Sequence, residues 1–267
     1  MANTQAGDGT TIEFEETGSG DGPAVILVHG ITENRHTWDP VVERLAADHR
    51  VIALDLRGHG ESGSADRYDL EAMAGDVVAV AMATGADRPH LVGHSLGGAV
   101  VSAVGAAFPV TSIVDVDQSL QLSAFKDQLM AIEPQLRDPE SFPAVIEAMF
   151  QMMAGEKIDA GEMERVNALR RPDQDVVLGV WEMLLTMPAD EVSEVVDTAL
   201  AGYRGQPVPY LALFGIDPGA GYADWLATFI AGSTVELWPD SGHYPHLVDP
   251  DGFVSRLDEF WESAVVG

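Results

Sequence analysis

Short, mainly apolar runs separated by helix-length segments are the feature that most restricts what this chain can fold into. Ala24-Val25-Ile26-Leu27-Val28 is one such run and Val51-Ile52-Ala53-Leu54 is another. Leu91-Val92 ends a third, Ser112 to Val116, interrupted by Asp115, forms a fourth, and Tyr210 to Phe214 and Thr234 to Trp238, the latter interrupted by Glu236, follow. A strand with one wet face alternates apolar and polar side chains. A strand that is apolar at every position must be covered on both faces. Helical patterns over Trp38 to Ala47, Leu70 to Thr84, Leu96 to Phe108, Tyr222 to Ala231 and Asp251 to Val265 provide that cover. The alternation implies an α/β fold with a mostly parallel sheet flanked by helices. Ahead of it, Ala6-Gly7-Asp8-Gly9 reads as a turn, and Thr10 to Thr17 alternates like a hairpin strand.

One stretch breaks the rhythm. Residues 118–204 show helical segments and no convincing strand, and they hold seven of the ten methionines. We expect a helical cap or lid there, inserted into a core built from residues 1–117 and 205–267. Its Met, Leu, Phe142, Phe150 and Trp181 side chains suit either ordinary packing or an adaptable apolar pocket.

Composition narrows the function. The net charge is −29, with 43 acidic residues against 14 basic ones, and the lysines are Lys126 and Lys157. Such a surface repels phosphate backbones and anionic lipid, so neither nucleic acid nor a membrane is an expected partner. The same acidity fits adaptation to high salt, a reading that a melting temperature insensitive to molar salt would overturn. The chain has no cysteine, which excludes disulfides, thiolate catalysis and cysteine-ligated metals. Met1 to Thr10 is polar, without a signal-like apolar stretch, so a cytoplasmic location is expected.

The chemistry concentrates at Gly93-His94-Ser95-Leu96-Gly97, where the Pro89-His90-Leu91-Val92 strand meets the helix that starts at Leu96. A serine on so sharp a turn needs a strained backbone, and side chains two positions away would collide. Gly93 and Gly97 remove that conflict, and Gly98 and Ala99 let the helix approach the sheet. The Ser95 hydroxyl then stands at a helix start, where backbone N–H groups favour developing negative charge.

With that junction in place, the chain resembles the α/β-hydrolase superfamily, in its cap-bearing esterase and lactonase-like branch. The resemblance runs over nearly the whole length. It is carried by Val28-His29-Gly30, Asp55-Leu56-Arg57-Gly58-His59-Gly60-Glu61-Ser62, the serine junction, Phe214-Gly215-Ile216-Asp217-Pro218 and Gly242-His243-Tyr244-Pro245-His246. It implies a sheet of about eight strands. It also implies an oxyanion hole made by the backbone amides of Leu96 and Ile31, with His29, Gly30 and His94 bordering the substrate.

A hydroxyl needs a base near neutral pH. His243 is the best of eight histidines, because it follows the last strand and can reach back over the strand ends. His246 is the alternative base. His94 lies too close along the chain to turn back onto Ser95, and His29 and His59 suit the loops that carry them. For the acid that orients the base, the order Ser95, Asp217, His243 matches the fold, yet only Ile216 separates Gly215 from Asp217 where the family usually has two residues. Asp117, at the end of the Ile113-Val114-Asp115-Val116 strand, is the alternative, and Asp115 is a weaker one. Glu33 and Asp55 read as loop or turn groups.

The expected activity is hydrolysis of a small carboxylic ester or lactone with no metal or organic cofactor. Carbon–carbon hydrolysis, perhydrolysis, thioester or amide cleavage and lyase chemistry could use the same residues. So could a non-catalytic ligand receptor use the same fold. Dehalogenase and epoxide hydrolase activities are disfavoured, since relatives of those types carry aspartate where this chain has Ser95.

Overall fold

The computed structural model describes residues 1–206 and 208–265. In chain order the strands are β1 (Ala2–Gln5), β2 (Thr11–Thr17), β3 (Val25–Val28), β4 (Val51–Leu54), β5 (His90–His94), β6 (Ser112–Val116), β7 (Tyr210–Phe214) and β8 (Thr234–Leu237). The core helices are α1 (Asp39–Leu45), α2 (Leu70–Thr84) and α3 (Leu96–Ala107). Between β6 and β7 come α4 (Ser123–Arg137), α5 (Phe142–Met153), α6 (Ala160–Leu169), α7 (Gln174–Thr186) and α8 (Ala189–Leu200). Then follow α9 (Tyr222–Phe229), the single turn α10 (Pro245–Val248) and α11 (Pro250–Val265). No helix among the described residues is long and apolar enough to cross a membrane.

The eight strands form one sheet in the order β1-β2-β4-β3-β5-β6-β7-β8. β1 and β2 run antiparallel, and every pair from β4 to β8 is parallel. The sheet therefore is the mostly parallel α/β-hydrolase sheet that the sequence implies. β1 is the one strand without a counterpart in the sequence reading. It is polar and largely exposed, and it attaches through its backbone to β2 at the sheet edge.

The all-apolar runs are explained by two cores, one on each face. Ile26, Val28, Leu91 and Ile113 face α2 and α3, packing with Val77, Val80, Val100, Val101 and Val104. Their neighbours Val25, Leu27, Val92, Val114 and Val116 point the other way, toward Trp38, Val41 and Leu45 and the Phe253 and Leu257 of α11. Successive side chains of a strand alternate faces, so a strand between two helix layers meets hydrocarbon on both sides.

Four of these helices, α4, α5, α7 and α8, form a third apolar cluster of their own, with Leu129, Phe142, Ile146, Phe150, Val177, Trp181 and Leu184 buried in it, while α6 packs through Val166 against Tyr244 and Leu247. Two core residues join that cluster: Ile31, from the loop after β3, and Leu96, at the start of α3. The inserted helices thus pack over the carboxyl ends of the central strands, where parallel α/β sheets place their ligands.

Candidate active site

Ser95 occupies the sharp junction between β5 and α3. Its backbone lies at φ 52° and ψ −124°, a region that a residue with a side chain rarely adopts. Its amide donates to the Val116 carbonyl at 2.9 Å, which anchors the turn to β6. A side chain at Gly97 would place its first carbon 2.2 Å from the Val28 carbonyl oxygen, so only glycine lets α3 pass this close to β3. Ser95 itself remains half-buried while His94 before it is fully buried.

The loop after β3 closes against this turn. A carbon added to Gly30 would stand 3.2 Å from the Ser95 Cβ. Leu96 opens α3, so its amide has no acceptor within the helix. Ile31 follows Gly30 in the loop after β3. His29 braces the loop from below: the Leu56 amide donates to its Nε2 at 3.1 Å, and its Nδ1–H donates to the Gly30 carbonyl at 2.7 Å. His94 donates from Nε2 to the carbonyl of His243 at 2.7 Å. His29 and His94, expected to border the substrate, are instead buried and committed to backbone groups that shape the site. Gly30 does face Ser95.

His243 lies in the loop between β8 and α10. Its Nδ1–H donates to Asp117 Oδ2 at 2.6 Å, and its Nε2 is buried with no hydrogen-bond partner among the described residues. Burial pushes the imidazole below its usual value, and the pull of Asp117 in the opposite direction does not overcome it. The ring is therefore neutral at neutral pH, with the unprotonated nitrogen turned away from the acid. His246, the alternative base, packs against Trp38 and His94, with ring centroids 4.5 and 4.6 Å away.

The acid beside His243 is Asp117 instead of Asp217. Asp117 follows β6 at φ 54°, and its Oδ1 accepts the Gly215 and Ile216 amides at 2.7 and 2.9 Å. Asp217 lies in an exposed turn, where its carboxylate accepts the Gly219 amide at 2.8 Å. The physical reason is the short loop after β7. A side chain on Gly215 would begin 2.0 Å from the Gly242 carbonyl oxygen, so this loop is pressed against the one that carries His243. With its backbone filling that position, it orients an aspartate from the next strand and sends its own outward. Asp115 sits beneath, fully buried, where burial raises its carboxyl well above the usual range and Tyr210 donates to it at 3.2 Å.

A second buried cluster adjoins the first and was not anticipated from the residues. The Tyr244 hydroxyl donates to Glu33 Oε1 at 2.9 Å, Arg170 Nη2 lies 3.5 Å from the same oxygen, and His94 Nδ1 lies 3.5 Å from Oε2. Arg170 also donates to the Tyr244 hydroxyl. Burial alone would raise the Glu33 carboxyl, but His94, Arg170 and Tyr244 outweigh it and hold the group well below the usual range. The available signal was Arg170-Arg171 itself, a pair of adjacent cations in a chain with 14 basic and 43 acidic residues. His59 bonds the Arg57 carbonyl at 2.9 Å, and burial lowers it to about 4. Asp55 binds Arg35, which ties the loop after β4 to the loop after β3.

Comparison with known proteins agrees with this architecture. The model of the alpha/beta hydrolase family matches residues 25–256. A pimeloyl-[acyl-carrier protein] methyl ester esterase of Neisseria meningitidis is 30% identical over 253 residues, covering 89% of this chain and 93% of that protein. An esterase structure from Rhodococcus sp. ECU1013 superposes with a TM-score of 0.72 at 26% identity, covering 98% of both chains. An esterase from Exiguobacterium antarcticum shares the fold, with a TM-score of 0.78 at 22% identity over 98% of this chain and 99% of that one.

Proposed function

This chain belongs to the alpha/beta hydrolase family, and on that premise we propose that it cleaves a carboxylic ester or lactone through an acyl-enzyme on Ser95. The observation that carries the reading is the bond from His243 Nδ1–H to Asp117, together with a serine held at φ 52° where β5 meets α3. Asp117 fixes the tautomer that leaves Nε2 free to take a proton. His243 removes the Ser95 proton as Oγ attacks the carbonyl carbon. The oxygen that becomes negative is received by the amides of Leu96, at the start of α3, and of Ile31, in the loop after β3. Collapse breaks the ester bond, and His243 returns the proton to the leaving alkoxide. Water, deprotonated by the same histidine, then releases the acid and restores Ser95.

Two further features support an ester-type substrate. The esterases similar to this chain span nearly its full length. The side chains of Ile31 and Leu96 are packed in the apolar cluster of the inserted helices, so the acyl group would lie against hydrocarbon. We read α4–α8 as a cap over the site, with core residues 1–117 and 205–267 below it. A small substrate with an apolar acyl portion fits this setting better than a charged one.

The test is labelling by a fluorophosphonate followed by peptide mass analysis. We expect one adduct, on Ser95, and none in Ser95→Ala. Folded wild-type protein that takes up no label would overturn the proposal.

A further inference from the structure

Glu33 sits three residues beyond Gly30 with a side chain only 1% exposed. A carboxylate that deep needs partners, and unpartnered charge is among the costliest things a fold can bury. Its partners come from three other stretches of chain: His94 beside the nucleophile, Tyr244 beside the base, and Arg170 from the link between α6 and α7. Arg170 is 8% exposed and lies over the Phe150 ring, 3.6 Å from its centroid. Among the described residues, only Arg170 brings a permanent positive charge to this carboxylate, and it arrives from the link between α6 and α7.

The same stretch is bound to the loop after β3 along its length. The Arg171 amide donates to the Thr32 carbonyl at 2.9 Å, and Asn34 Nδ2 donates to the Leu169 carbonyl at 3.0 Å. Arg165 donates to the carbonyls of His36 and Thr37 at 2.7 and 3.1 Å. Thr32, in the middle of this seam, has φ 66°. A β-branched residue does not hold that conformation unaided, so its surroundings must impose it.

Resting on the hydrolase reading above, we infer that Arg170 is a positioning residue: from the cap, it holds Glu33 and the strained Thr32 turn so that the Ile31 amide faces the reacting carbonyl. Without the guanidinium, the Glu33 carboxylate must take a proton or turn toward water. Either movement releases Thr32 toward ordinary backbone angles, and the neighbouring Ile31 peptide turns with it. Arg170 also balances a negative charge that would otherwise oppose the oxyanion. A carbon added to Gly30 would lie 3.3 Å from Glu33 Oε2 and 3.2 Å from Ser95 Cβ, so the two sites are adjacent. The cap then completes the catalytic centre as well as covering it.

The experiment compares wild type, Arg170→Ala and Arg170→Lys on p-nitrophenyl acetate, a substrate too small to need the cap for binding. Circular dichroism checks that each is folded. We expect kcat to fall about 10- to 100-fold in Arg170→Ala with KM within about twofold, the scale of a displaced oxyanion donor. Added guanidinium, at concentrations far below denaturing, should restore part of that loss in Arg170→Ala and none in Ser95→Ala. Arg170→Lys keeps the charge but not the planar fork, so it should fall between, and it carries the test if the alanine variant does not fold. An unchanged kcat in a folded variant, or a rise in KM alone, overturns the inference while leaving the hydrolase reading intact. Wild type that neither turns over esters nor reacts with the fluorophosphonate overturns both.

Discussion

The loops after β6 and β7 leave neighbouring parallel strands side by side, and each carries an aspartate. One ends on His243 and the other on solvent. The loop after β6 takes a strained backbone at Asp117, φ 54°, to aim its carboxylate inward. The loop after β7 spends its backbone instead: its Gly215 and Ile216 amides hold Asp117, and its own Asp217 closes an exposed turn on Gly219. The contrast shows that an acid is selected by what fixes its carboxylate. Asp117 accepts two amides and an imidazole, whereas Asp217 accepts one local amide that any turn could supply.

The largest effect should therefore come from Asp117→Asn. An amide at this position can present its NH₂ to His243 Nδ1, which favours the tautomer with the proton on the wrong nitrogen. We expect kcat on a chromogenic short-chain ester to fall about 10³- to 10⁴-fold. Asp217→Asn should stay within about twofold of wild type, since its carboxylate touches neither His243 nor Ser95. A large loss in Asp217→Asn with a mild one in Asp117→Asn would reverse the comparison.

Why the two loops could not be told apart from the residues is itself physical. Strands between two helix layers have no freedom in their pattern, so β3 to β7 are legible as apolar runs. Ser95 and His243 are legible because glycine at 93, 97 and 242 marks turns that few other functions require. β1 left no trace, because a polar strand at a sheet edge is held by backbone bonds that any sequence can make. The acid depended on the path of one shortened loop, and its packing against Gly242 is a contact between residues far apart in the chain. The Glu33, Arg170 and Tyr244 cluster was further from view. Each looks like an ordinary loop residue until the fold brings positions 33, 170 and 244 together.

A smaller effect sharpens the same comparison through pH. His243 must be neutral to act as a base, so kcat/KM should fall as pH drops through its pKa. Burial lowers that pKa below 6.5 and Asp117 partly raises it again. The acid limb of wild type should accordingly lie below pH 6.5. Removing the Asp117 charge disfavours the imidazolium, so the residual activity of Asp117→Asn should show its limb at still lower pH, while Asp217→Asn leaves it where it was. Circular dichroism at each pH must accompany the profile. His59 and His90 are both lowered to about 4 in the folded protein. The unfolded chain then binds more protons between pH 6.5 and 4, and stability declines over that window. A limb that moves upward in Asp117→Asn, or moves equally in both variants while the protein stays folded, would show that Asp117 does not act through His243.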